Sequence, residues 1–200
     1  YRVSDLAKQN KTPLFIMDEA LIRAKMRLFK RIFVSSKIES QVVYASKAFL
    51  NLAMCQCVNE EGLSLDVVSG GELYTAYKAG FPIEKIFFHG NNKSYDELKM
   101  AIELKVGRVV VDNPTEFKQL LDLIPYGQSM NILLRLNPGI EAHTHDYIST
   151  SKIDSKFGLS IFDSSTIDLI QASINEAKIV FKGLHAHIGS QILDGTSYIN

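Results

Sequence analysis

Residues 64–90 read SLDVVSGGELYTAYKAGFPIEKIFFHG. A short apolar run, SLDVVS, is followed by two glycines and then by Leu73, Ala76 and Tyr77, which share one face of a helix. Gly80 and Pro82 stop that helix. KIFFHG, at 85–90, is again short, apolar and rich in strand formers. The stretch predicts strand, helix, strand, and a helical crossover predicts that the two strands run parallel.

The same pattern extends in both directions. VVYAS at 42–46, RVVVD at 108–112, NILLRLN at 131–137 and GLHAHIG at 183–189 are further strand-sized runs. All but the last recur roughly every 20–23 residues, the length of a strand, a loop and a crossover helix. The helices are punctuated too. Asp18 precedes the stripe Leu21, Ala24, Leu28 and Ile32. Ser94 with Glu97 reads as a capping box. Pro114 fits the first position of a helix bearing Phe117, Leu120, Leu121 and Ile124. Ser164 or Ser165 opens a last helix with Ile167, Ile170 and Ile174.

This alternation predicts an α/β fold with a parallel sheet, doubly wound or closed as a barrel. No glycine fingerprint for a dinucleotide or a nucleoside triphosphate follows the first strand. Polar residues stand at most strand ends: Lys47, Ser69, His89, Asp112, Asn137 and His187. A barrel collects active groups from many strand ends, whereas a doubly wound sheet gathers them at one switch point. The barrel is therefore the expectation. Six strands are visible where a closed barrel has eight, so the sequence is expected to be part of a longer chain.

Composition narrows the function. Lys+Arg and Asp+Glu balance at 22 each, with 46% hydrophobic residues. No basic stripe is present for nucleic acid, no apolar run is long enough for a membrane span, and the first residues lack a signal-peptide core. Cys55 and Cys57 form neither a disulfide framework nor a zinc site. These features fit a soluble cytoplasmic protein.

VVYASKAFLN, at 42–51, ends its apolar run on a lysine. On a continuous strand Val43, Ala45 and Lys47 would share one face, placing an amine at the mouth of an apolar cavity. The plain alternative is a lysine reaching solvent from a strand end.

YASKAF, LDVVSGGEL, FHGNNK, LLRLNPG, DSKFG and HAHIGSQI occur in this order along the chain. Together they resemble the bacterial diaminopimelate decarboxylases, a family in the alanine-racemase-like (fold-type III) class of pyridoxal 5'-phosphate (PLP) enzymes. The resemblance covers nearly all of the chain. It implies a PLP-binding (β/α)8 TIM barrel over 20–200, incomplete here, and a C-terminal β-domain absent from this chain. Residues 1–19 would join that β-domain, with TPLFIMDE at 12–19 as the joining strand. It also implies a homodimer with active sites at the subunit interface.

By the same resemblance, Lys47 matches the lysine that holds PLP covalently. An apolar pocket there would disfavour its ammonium form. His187 matches the histidine lying against the pyridine ring, Gly189 and Ser190 a phosphate-binding turn, and Arg135 an arginine near the phenolic oxygen. For Arg135 the alternative is a salt-bridged strand-end residue. Asp66 shares a face with Val68 and points toward the cofactor or into a structural ion pair. Lys156 matches a lysine near the active site and the subunit boundary, and Asn91, Asn92 and Lys93 shape the third loop. Ser151 stands where glycine is expected. The implied reaction is decarboxylation of meso-2,6-diaminopimelate to L-lysine.

Three other readings remain open. Ornithine, arginine or carboxylated-polyamine decarboxylases share the scaffold. A non-catalytic relative would keep the fold. A metal-dependent hydrolase would use His185 with His187, and His143 with His145, although GSQ after His187 suits phosphate better than metal.

Overall fold

Asp18 starts the first long helix, as its position predicts. In a computed structural model, residues 2–32, 37–139 and 157–190 are described. The chain up to Val42 forms one compact unit and the chain from Val43 another. The first unit holds α1 (Val3–Asn10) and α2 (Glu19–Ile32). Asp18 Oδ1 accepts the Leu21 N–H at 3.0 Å, and Arg23 pairs with Glu19 at 2.8 Å. The helix is the predicted one but its buried residue is not. Met26 is buried, while Leu21 and Ile32 of the expected stripe are exposed. Leu21, Ala24 and Leu28 instead line an open depression of about 320 Å³. Residues 14–18 are neither helix nor strand.

Strand order decides between the two parallel architectures. β1 (Val43–Ala45), β2 (Ser64–Val67), β3 (Ile86–Phe88), β4 (Arg108–Val111) and β5 (Met130–Asn137) lie side by side in chain order, every pair parallel. Two more strands, β6 (Leu159–Ser160) and β7 (Ile179–Ala186), also pair with β5, again parallel. Because β7 accompanies β5 as far as Leu136, β6 takes the other edge, continuing the row of β4. The order of the main strands never reverses, so the switch point of a doubly wound sheet is missing. This is a barrel wall.

The crossovers are α3 (Leu52–Glu60), α4 (Gly70–Lys78), α5 (Tyr95–Leu104), α6 (Pro114–Leu123) and α7 (Ser164–Asn175). Each begins on a side chain that accepts an N–H of its own first turn: Asn51, Ser69, Ser94, Asn113 and Asp163. Such a cap stabilises a helix by about 0.5–2 kcal/mol. The capping box at Ser94 and Glu97 is complete, and Pro114 opens α6. For α7 the cap is Asp163, the residue before the expected serines.

Period-two alternation sorts the strand residues. Leu65, Val67, Ile86, Phe88, Val109, Val111, Ile132 and Leu134 are fully buried with Leu73, Leu98 and Leu120 of the helices. Burial of side chains like these stabilises by about 1.5–3 kcal/mol each. Asp66, between Leu65 and Val67, falls on the opposite face of β2.

β7 starts four residues before the predicted Gly183. Its pairing with β5 shifts register between Ile132 and Leu134, with Gly183 at φ 127° inside the irregularity. The glycine accommodates a bulge rather than ending the strand. Close approach explains another glycine. A Cβ on Gly107 would lie 2.0 Å from the Glu84 carbonyl oxygen. Gly107→Ala should therefore cost about 1–3 kcal/mol or more, measured as a lower urea midpoint. An unchanged midpoint would show that this turn yields freely.

Candidate active site

Polar side chains gather where the strands end, beginning with a departure from the predicted geometry. β1 stops at Ala45 and Ser46–Ala48 form a 3₁₀ turn. Lys47 therefore does not continue the strand face of Val43 and Ala45. It is exposed rather than enclosed by an apolar pocket. Ser46 beside it is buried, and its hydroxyl donates to Glu72 Oε2 at 2.5 Å. The same oxygen accepts the Val68 N–H at 2.7 Å. One carboxylate oxygen thus joins the ends of β1 and β2 and fixes the turn that carries Lys47.

Asp66 Oδ2 lies 3.5 Å from His89 Nδ1. The His89 ring meets that of His185 edge-on, with centroids 4.5 Å apart. Nε2 of His89 and Nδ1 of His185 are buried without a hydrogen-bond partner among the described residues. His185 sits on β7 in register with Arg135, and His187 follows just past the strand. Burial, then the positive groups of His89, Arg135, His187 and Lys93, lowers the His185 pKa to about 3. Burial also dominates at His187. Lys47, Arg135 and His89 add to it against Asp66, leaving a pKa of about 4. Both imidazoles are thus neutral at neutral pH. His187 feels Lys47, Arg135 and Asp66 at once, so the structure brings these four predicted residues together.

Arg135 is buried at the end of β5 and donates from Nη1 to Asp112 Oδ1 at 2.8 Å. Its guanidinium also lies 4.8 Å from the Phe157 ring centroid. The ion pair named as the alternative for Arg135 is present, and it stands beside the histidines. Lys93, expected only to shape a loop, is buried. Its Nζ donates to the carbonyls of Gly90 (2.6 Å) and Val110 (2.8 Å) and pairs with Glu116 at 2.8 Å. Two hydrogen bonds and one ion pair thus hold the ammonium. Burial pushes the Glu116 carboxyl up, against the pull of Lys93.

Gly189 (φ 147°) and Ser190 follow His187 in irregular backbone. Lys156 lies outside the described residues, as do Ser151, His143 and His145. Sequence reasoning noted His89 and Asp112 only as polar strand ends and passed over Glu72 and Glu116. The usable signal was a polar residue directly after an apolar strand. Among the described residues no three His, Cys, Asp or Glu side chains form a group able to hold a metal ion. No described helix is long and apolar enough to cross a membrane.

Residues 19–200 match the pyridoxal binding domain of the pyridoxal-dependent decarboxylases. The chain belongs to that family. It is 52% identical over 195 residues to a diaminopimelate decarboxylase of Bacillus subtilis, covering 97% of this chain and 44% of that protein. A diaminopimelate decarboxylase of Bacillus methanolicus is 53% identical, with 98% and 45% covered. The chain therefore spans less than half the length of these curated relatives. Among solved structures, a mutant Helicobacter pylori diaminopimelate decarboxylase complexed with L-lysine superposes with a TM-score of 0.91 at 30% identity. That match covers 99% of this chain and 50% of the other. A diaminopimelate decarboxylase from M. jannaschii, in co-complex with L-lysine, gives 0.87 at 34%, with 100% and 47% covered.

The cofactor this family implies is PLP, and the residues present fit it. An exposed amine on Lys47 stands within electrostatic reach of His187, a neutral imidazole suited to lie against an aromatic ring. Two buried nitrogens, of His89 and His185, are without partners among the described residues.

Two outcomes follow from the charges. Lys93→Met should destabilise by about 3–5 kcal/mol by leaving Glu116 buried and unpaired, and Lys93→Met with Glu116→Leu should recover most of that. Equal urea midpoints for the single and double variants would contradict the pairing. For the histidines, the unfolded chain takes up protons below about pH 6.5, while the folded chain does so only near 4 (His187) and 3 (His185). The unfolded state then binds more protons, so acid favours it. Their contribution should be constant above pH 6.5 and decline from there toward pH 3. His185→Gln should flatten that decline in urea midpoints measured from pH 7 to 4, and an unaltered slope would refute the assignment.

Proposed function

We propose that this chain is the cofactor-binding part of a PLP-dependent decarboxylase that converts meso-2,6-diaminopimelate to L-lysine. The observation that carries the reading is the meeting of Lys47, Asp66, Arg135 and His187 at the C-terminal ends of parallel strands. Identity of 52% to the Bacillus subtilis diaminopimelate decarboxylase supports the substrate. So do the L-lysine complexes among the similar structures.

When bound, PLP supplies the electron sink that accepts the pair left as carbon dioxide departs. The chain's own residues do the rest. Lys47 binds the cofactor through its amine, on a turn that Ser46 and Glu72 hold still. His187 offers a ring face that carries no positive charge at neutral pH. Arg135 would supply a fixed cation to the cofactor's phenolic oxygen. Gly189 and Ser190 bind phosphate through backbone and hydroxyl donors. Asp66, with His89 Nδ1 at 3.5 Å, offers a carboxylate–imidazole pair to the site. Lys156, next to Phe157 in the sequence, completes the set. The wider protein is read as a cytoplasmic homodimer with active sites at the subunit interface, in which residues 1–19 join a C-terminal β-domain.

Borohydride treatment of the PLP-loaded protein, expressed from its whole coding sequence, should fix the cofactor to Lys47. Peptide mapping that places the label on another lysine would sink the assignment. Lys47→Ala should abolish lysine production and leave the melting temperature unchanged, since the side chain packs against no core. His187→Ala should weaken PLP binding by about 0.5–1.5 kcal/mol, the worth of an aromatic contact, measured by fluorescence titration.

A further inference from the structure

We propose that Asp112 is a positioning residue for the cofactor, acting only through Arg135. The inference rests on the reading of Arg135 as a cofactor contact. A buried guanidinium needs a counter-charge, and any carboxylate nearby would meet that need. What marks Asp112 is how completely it is immobilised. It is 2% exposed, so it is not itself available to a ligand. Its Oδ1 accepts from Arg135 Nη1 at 2.8 Å, and its Oδ2 accepts the Gly158 N–H at 3.1 Å. Its backbone N–H donates to Glu116 Oε2 at 3.2 Å, and Glu116 is in turn paired with the buried Lys93 at 2.8 Å.

Both carboxylate oxygens and the backbone are therefore fixed from three separate parts of the chain: α6, β5 and the turn before β6. The guanidinium donors have a rigid planar fork geometry. Holding one of them against an immobile carboxylate, with Phe157 at 4.8 Å from the guanidinium carbon, leaves the plane little freedom. An arginine free to swing would cover the same volume but would not present one aimed cation. Lys93 and Glu116 thus belong to the same support, one step further from the ligand.

The test is a double-mutant cycle in the protein expressed from its whole coding sequence. PLP affinity is read by fluorescence titration and apo-protein stability by thermal melting. Asp112→Asn keeps the shape and removes the charge. It should weaken PLP binding about 10–100-fold, the range seen when outer partners of metal-ligating groups are lost. Arg135→Gln should weaken it at least as much. In the Arg135→Gln background, Asp112→Asn should change the affinity no further. Val111→Ala, a neighbouring core truncation, should lower the melting temperature without moving PLP affinity.

If Asp112→Asn weakens binding equally in both backgrounds, the proposal is overturned while Arg135 remains a cofactor contact. If Arg135→Gln leaves PLP affinity unchanged, the reading of Arg135 fails and the proposal with it. If Val111→Ala weakens PLP binding as Asp112→Asn does, the effect is one of general destabilisation and the proposal is overturned. Should Asp112→Asn not fold, Asp112→Glu keeps the charge but adds a methylene that displaces the guanidinium. It should then fold, and should lose affinity only where Arg135 is intact.

Discussion

The ammonium of Lys93 is the point on which the upper end of the sheet turns. It is buried among the loop after β3, the end of β4 and the first turn of α6, hydrogen-bonded to two carbonyls and paired with a carboxylate. Burying a lone charge would cost several kcal/mol, so the three segments are compatible only in the arrangement that satisfies it. Glu116 passes the constraint to the backbone of Asp112, and Asp112 passes it to Arg135. A charge with no chemistry of its own sets where a functional charge can stand.

The parallel sheet explains why such devices occur at strand ends. Its strand centres are covered on the outer face by helices and read as nearly continuous aliphatic runs. Polar groups are admitted only where the ladder stops and backbone groups become available to them. Glu72 serves the ends of β1 and β2 as Glu116 serves the end of β4. In both cases a carboxylate on the helix after a strand reaches back four residues to an N–H near that strand's end.

Element type and order were legible because each strand is apolar and each crossover helix carries its own cap. What escaped was conformational detail. The parity argument for Lys47 assumed that β1 continued, but the chain tightens into a 3₁₀ turn after Ala45. Gly183 looked like a boundary because a bulge and a strand end both favour glycine, yet pairing continues through it. In α2 the 3.6-residue period was real, but periodicity names a face without saying what covers it, and Met26 lies off the stripe. Lys47, Asp66, Arg135 and His187 could be picked out from motifs. Lys93 and Glu116 could not be paired, because they meet only once the α5 crossover and β4 have been laid down between them.

The placement of β6 has an evolutionary consequence. The chain leaves β5 at Asn137 and returns to pair with that same strand through Leu159 and Ser160, so the excursion starts and finishes on one fixed rail. Phe157 and Gly158, immediately before the return, are tied to Arg135 and Asp112. The register of β6 and the buried charge pair are therefore inherited together: a residue gained or lost next to the return would move both.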